Sequence, residues 1–245
     1  MKKAMTAVAL ACGVAFGGFA GDLDELGGII MVPPQGKVVV FSGQRSLTEK
    51  DVRSFFLISD GVFELGYEFV PLALPFKMDE APRLLAEAKG NAAIFLVDDP
   101  KLPMTVVALE EKWGLVNFAK LTADKPKVLT LGRRAEKLFT RVMTQVLGGG
   151  MGQEIPFSAM KPVFSVSDLD QMSAKAVSPA HLTQMSRYCQ TLGLQHPMPM
   201  VYFEACERGL APAPTNAAQK AIWDKVHQLP KTPIKIKPET TKVRE

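Results

Sequence analysis

The sequence predicts an α/β (α+β) protein: a mixed twisted sheet, a long central helix and a C-terminal helical extension. Three observations carry this. Short β-branched or apolar runs alternate with segments of helical periodicity between residues 37 and 147. Arg133 to Leu147 (RRAEKLFTRVMTQVL) repeats apolar residues at helical spacing through Leu138, Val142 and Val146. The chain has 245 residues, 47% hydrophobic and 22% charged, enough for one ample core but too short for two large domains with linkers.

Taken in order, Gly21 to Gly36 is a leader rich in acids, glycine and proline. Lys37 to Phe41 (KVVVF) is a strand. Ser46-Leu-Thr-Glu49 has the spacing of a capping box and opens a helix to about Asp60, with Val52, Phe55 and Phe56 apolar. Tyr67 to Leu74 is a second strand, which Pro71 restricts to an edge. A helix from about Asp79 to Lys89 leads to a third strand, Ala92 to Val97. Thr105 to Leu109 and Trp113 to Phe118 are a fourth and fifth, joined by the charged turn at residues 110–112. Gly148 ends the long helix as a C-cap. Gly148-Gly149-Gly150 follows a helix C-terminus, whereas a phosphate loop leads into an N-terminus. After a turn-rich stretch containing Ser167-Asp-Leu-Asp170, Ala180 to Leu192 is helical. Thr215 or Asn216 caps a last helix, Ala217 to Leu229, and the prolines beyond keep the tail extended.

The chain termini speak to compartment. Lys2 and Lys3 precede an apolar run, Ala4 to Phe16, and Gly18-Phe19-Ala20 offers small residues for a signal peptidase. The run falls short of the roughly 18 residues a membrane span needs. The expectation is a secreted or periplasmic protein with residues 1–20 as signal peptide and no transmembrane segment in the mature chain. Cys12 fits a lipoprotein acylation site only loosely, since it comes early and lacks a leucine three positions before it. Removal of two lysines lowers the net charge from +4 to +2, which is no nucleic-acid footprint. The mature chain keeps Cys189 and Cys206, a candidate disulfide in an oxidising compartment or else two buried thiols.

The stretch from Arg134 to His181 resembles the archaemetzincins, zinc-dependent peptidases of the metzincin class. Their signature is HExxHxxGxxH followed by a cysteine, then C-x-M, and C-x-x-C after seventeen intervening residues. Two histidines one helical turn apart grip zinc, the adjacent Glu polarises the metal-bound water, and a Met-turn floors the site. Arg134 and Lys137 match family positions seven and four residues before the first histidine. Gly148 matches the turn glycine, Met160 the Met-turn methionine, and residues 167–170 the acidic turn that follows. The Val97-Asp-Asp99 turn also looks like the family's. The likeness covers about Lys37 to His181.

This resemblance implies a metzincin-like domain at 37–182, a helical extension at 183–230 and a Pro/Lys tail at 231–245. It also implies that the chemistry is lost. The zinc-ligand positions become Arg141, Gln145 and Met151, and the general-base position becomes Val142. The second zinc site becomes Gly152, Ser158, Ser178 and His181. Gln and Met are poor zinc ligands, Arg places a cation where the metal would sit, and Val cannot accept a proton. Independently, the three histidines, His181, His196 and His227, form no HxxxH pair.

Other chemistry is sparse. Ser42 follows a strand without the Gly-x-Ser-x-Gly elbow. Asp98-Asp99 and Asp168/Asp170 read as solvated turns, and the methionines as core filling. The expectation is an exported, non-catalytic, metzincin-like protein that needs no cofactor and serves as a binding module. Arg141 and Gln145 would line the old cleft and suit a carboxylate, such as a peptide C-terminus or an acidic glycan. An unrecognised hydrolase using His181 or His227 with an acid or a cysteine, and a structural envelope component built on the Trp223 helix and the tail, are the rival readings.

Overall fold

The computed structural model describes residues 25–54, 63–150, 158–172 and 177–228. Residues 1–20, expected to be a signal peptide, the Pro/Lys tail, Phe55, Phe56, Met151 and Gly152 lie outside the described residues. In chain order come β1 (Ile29–Val32), β2 (Val38–Ser42), β3 (Tyr67–Pro71), α1 (Ala81–Glu87), β4 (Ala92–Val97), β5 (Thr105–Ala108) and β6 (Trp113–Asn117). They are followed by α2 (Phe118–Leu121), α3 (Val128–Val146), α4 (Val166–Asp170), α5 (Pro179–Thr191), β7 (Met198–Val201), α6 (Tyr202–Glu207) and α7 (Ala217–Gln228). The chain forms two compact units: Pro33–Met198, and the residues before and after it.

In the larger unit a five-stranded sheet has the order β3-β2-β4-β6-β5. β3, β2, β4 and β6 run parallel, and β5 is antiparallel to β6. β3 sits at one edge, as Pro71 requires. All six residues of β4 are buried, the signature of a strand covered on both faces. The strand period of two divides the core. Val38, Val40, Ile94, Leu96 and Val116 face α3 on one side. Val39, Phe41, Phe95, Val97 and Leu115 face α1 on the other. There Phe95 stacks on Phe41 and Phe76, with ring centroids 4.8 and 4.6 Å away, and meets Trp113 edge-on.

Two boundaries differ from expectation. The helical turns at 49–54 are capped by Thr48, not Ser46. Thr48 Oγ1 accepts from Asp51 N, and Asp51 Oδ2 accepts from Thr48 N. Ser46 is drawn away because its amide and that of Leu47 donate to Gln44 Oε1, both at 2.8 Å. The long helix begins five residues early, because its buried stripe already includes Leu131 and Gly132. α5 puts Met185 and Cys189 into the α3-side core, and Leu192 and Leu194 follow just beyond it. Asn91 fastens its end, accepting from Lys37 N at 2.9 Å and donating to the Leu192 carbonyl at 2.8 Å.

In the smaller unit the leader residues from Glu25 are structural. β1 pairs with β7, Tyr202 N donates to the Gly28 carbonyl at 3.0 Å, and Gln219 Nε2 donates to that of Gly27 at 3.1 Å. Tyr202, Cys206 and Ile222 form its core, with Trp223 packed against them. Asn216 is the cap of α7, accepting from Gln219 N at 2.9 Å.

Candidate functional site

α3 is the element on which the site would be built. Its apolar stripe, Leu131, Ala135, Leu138, Val142 and Val146, is buried against the sheet. The fit is close enough to require glycine on β6, since a Cβ at Gly114 would lie 2.3 Å from Val142 Cγ1. The polar side of α3 faces the segment 158–170, and four of its residues set the geometry.

Arg134 is 5% exposed and fully neutralised. Nη1 and Nη2 donate to Asp124 at 2.8 and 3.0 Å, while Nε and Nη2 donate to Asp170 at 3.0 and 2.9 Å. These bonds hold both carboxylates below the usual range and bind the guanidinium proton more firmly still. One turn on, Lys137 Nζ donates to the Leu169 carbonyl at 2.6 Å. A further turn on, Arg141 Nη1 donates to the carbonyls of Met160 and Lys161 at 2.7 and 2.5 Å. Burial pulls the Arg141 pKa down. Gln145, next along, is buried.

The positions that the resemblance assigns to metal binding therefore hold other contacts. At the first ligand position a guanidinium bridges α3 to the turn at Met160. At the general-base position Val142 is 0% exposed, packed on the sheet. Ser158 Oγ accepts from Met160 N at 3.1 Å and so shapes that turn. Ser178 Oγ caps α5 by accepting from His181 N at 3.3 Å, and contacts His181 Nδ1 at 2.7 Å. A cationic, acceptor-free side chain and an apolar one do not suit zinc. Among the described residues no group of three or more His, Cys, Asp or Glu could hold a metal ion. Among the described residues no helix is long and apolar enough to cross a membrane.

The other weighed residues have local roles. Ser42 borders a cavity of about 200 Å³ with Gln44, Glu49 and Phe69, and no histidine is among its lining residues. Asp98 accepts from Ser46 Oγ at 3.4 Å, and Asp99 accepts from Lys101 N at 2.8 Å. Asp168 caps α4, whose helical turn lies within the stretch expected to be irregular; Ser165 and Asp168 form its capping box. Cys189 and Cys206 are free, buried thiols. Cys189 shares a cavity of about 160 Å³ with His196, but burial pushes its thiol up to about 11, the opposite of an activated nucleophile. His227 stacks on Trp223 at 4.1 Å.

Sequence reasoning missed Asn117. Fully buried at the end of β6, it donates to the carbonyls of Asp99, Leu102 and Pro103 at 2.7, 2.9 and 3.2 Å. Its Oδ1 accepts from Asp99 N and Ala119 N, both at 3.2 Å. It pins the 98–103 loop. The visible signal was a lone amide residue ending an apolar strand.

No family model and no curated protein matches this sequence. Among solved structures, the fold is similar to that of archaemetzincin from Methanopyrus kandleri. The TM-score is 0.50 at 14% identity, over 63% of this chain and 96% of that one. A zinc-dependent peptidase from Methanocorpusculum labreanum aligns with a TM-score of 0.47 at 11% identity, over 60% of this chain and 99% of its own. At 14% identity the likeness to the first is one of fold: the chain carries an archaemetzincin-like α/β fold.

Proposed function

We propose that the protein is an exported, catalytically silent binding protein built on a peptidase fold. The observation that carries this reading is the Arg141 guanidinium, hydrogen-bonded to the Met160 and Lys161 carbonyls, at the position that the resemblance assigns to a first zinc ligand. Hydrolysis of a peptide bond by this fold's chemistry needs a Lewis acid and a base beside it. Arg141 repels a cation, and Val142 offers no proton acceptor. What remains is a rigid helix and an ordered turn joined by a positive charge, an arrangement suited to holding a ligand rather than transforming one.

The test is an assay of the mature chain, Gly21 to Glu245, on quenched-fluorescent peptide libraries with and without added zinc. The reading expects no turnover above a buffer blank in either condition. Zinc-stimulated cleavage that follows the protein through purification would overturn it. Export is checked separately, by N-terminal sequencing of the protein from the extracytoplasmic fraction, with Gly21 expected first.

A further inference from the structure

We propose that Arg141 is the anchor of a binding site for a single organic carboxylate. This deepens the binding-protein reading and rests on it. Three cations follow one another along the polar side of α3, and they differ in how their charge is answered. Arg134 is matched by two carboxylates. Lys137, one turn before Arg141 on the same face, has no ion pair but feels the nearby charges of Asp170 and Glu136, whereas Arg141 is matched by no carboxylate among the described residues. Each is partly buried and ends on neutral backbone carbonyls.

The acids of the opposing segment are already committed. Asp170 holds Arg134. Asp168 is turned into its own helix cap, accepting from the Phe164 and Ser165 amides at 3.0 and 2.8 Å. Neither is placed on Arg141. Both hydrogen bonds of that guanidinium leave from Nη1, so its Nε–Nη2 edge has no partner among the described residues. That edge is a planar two-donor fork, the geometry that pairs with a carboxylate. Partial burial strengthens such a bond relative to water. The open fork offers two parallel donors, which match the two oxygens of one carboxylate.

The experiment is a chemical-shift titration of the arginine Nε–Hε signals of the mature chain. The probes are N-acetyl-trialanine with a free C-terminus, its C-terminal amide, and glucuronate. The expected result is a saturable shift of the Arg141 signal with the free acid and none with the amide. Saturation by glucuronate alone also supports a carboxylate site and assigns its source to an acidic sugar. The variants lack this signal, so their binding is read by calorimetry beside the unaltered chain: Arg141→Gln should weaken it by about tenfold or more, as loss of a charge-assisted pair does. Arg141→Lys, which keeps the charge but lacks the fork, serves as the second variant if Arg141→Gln does not fold, and should weaken binding likewise. Equal titration by acid and amide, failure of both acids to saturate, or unchanged binding by the variant would each overturn the proposal. Peptidase activity, measured on the same preparation, reports on the silent-fold reading independently.

Discussion

Val142 and Gly114 touch across the face of the sheet: a Cβ on Gly114 would stand 2.3 Å from Val142 Cγ1 and 2.9 Å from Val146 Cγ2. The position that the resemblance assigns to a general base is thus a packing residue. Gly114→Ala should destabilise the protein by about 1–3 kcal/mol through overpacking. Val142→Ala should itself destabilise by leaving a cavity, yet the double variant should lose less than the two single losses added together. Urea denaturation of the four proteins measures the coupling.

Arg134 gives a second prediction. Its removal breaks four hydrogen bonds to carboxylates and one to the Leu121 carbonyl but leaves Asp124 and Asp170 half exposed, so they rehydrate. Arg134→Met should therefore cost about 2–3 kcal/mol, less than stranding a buried charge. Asp170→Asn should cost less than Arg134→Met, because Asp124 remains on the guanidinium. The same urea series checks both.

The acid limb of stability follows from the same groups. Asp124, Asp168 and Asp170 all have pKa values lowered from 3.8 in the folded chain, the first and last chiefly by Arg134, Asp168 chiefly by the Phe164 amide. A depressed carboxyl adds stability that is complete above its unfolded pKa and is lost as pH falls through the folded value. These three should leave stability flat between pH 7 and about 5, then reduce it steadily below about pH 4. Denaturation midpoints at a series of pH values test this, and Arg134→Met should show a shallower acid slope.

Much of this was legible in the sequence, and the exceptions have physical causes. β2, β4 and β6 announced themselves because buried parallel strands read as apolar runs. α3 was legible from Leu138, Val142 and Val146, but its first turn was hidden by Val128 and Leu129, which are each 58% exposed and break the stripe. The cap at Thr48 was displaced from Ser46 by a tertiary contact, Gln44, that no local pattern shows. α4 was missed because five residues are too few for periodicity, although Ser165 and Asp168 carried its capping signature. The roles assigned to the positions of Arg141 and Val142 are what the resemblance implies. The carbonyl partners of Arg141, nineteen and twenty residues away, were not legible in the sequence.

The thiols offer a further check. Cys189 is buried, with its pKa pushed up to about 11, and burial also raises that of Cys206. Native protein at pH 8 should react slowly with a thiol reagent, and denatured protein should release two equivalents from the mature chain. Two equivalents missing after denaturation would mean that the cysteines pair.

The most direct test of a peptidase fold without its metal is the zinc content of the mature protein, purified without chelators or a histidine tag and measured by elemental analysis. With Arg141 bridging α3 to the Met160 turn, zinc should be far below one equivalent, and a chelator should leave the thermal midpoint unchanged. One full equivalent that survives dialysis and stabilises the fold would contradict the account.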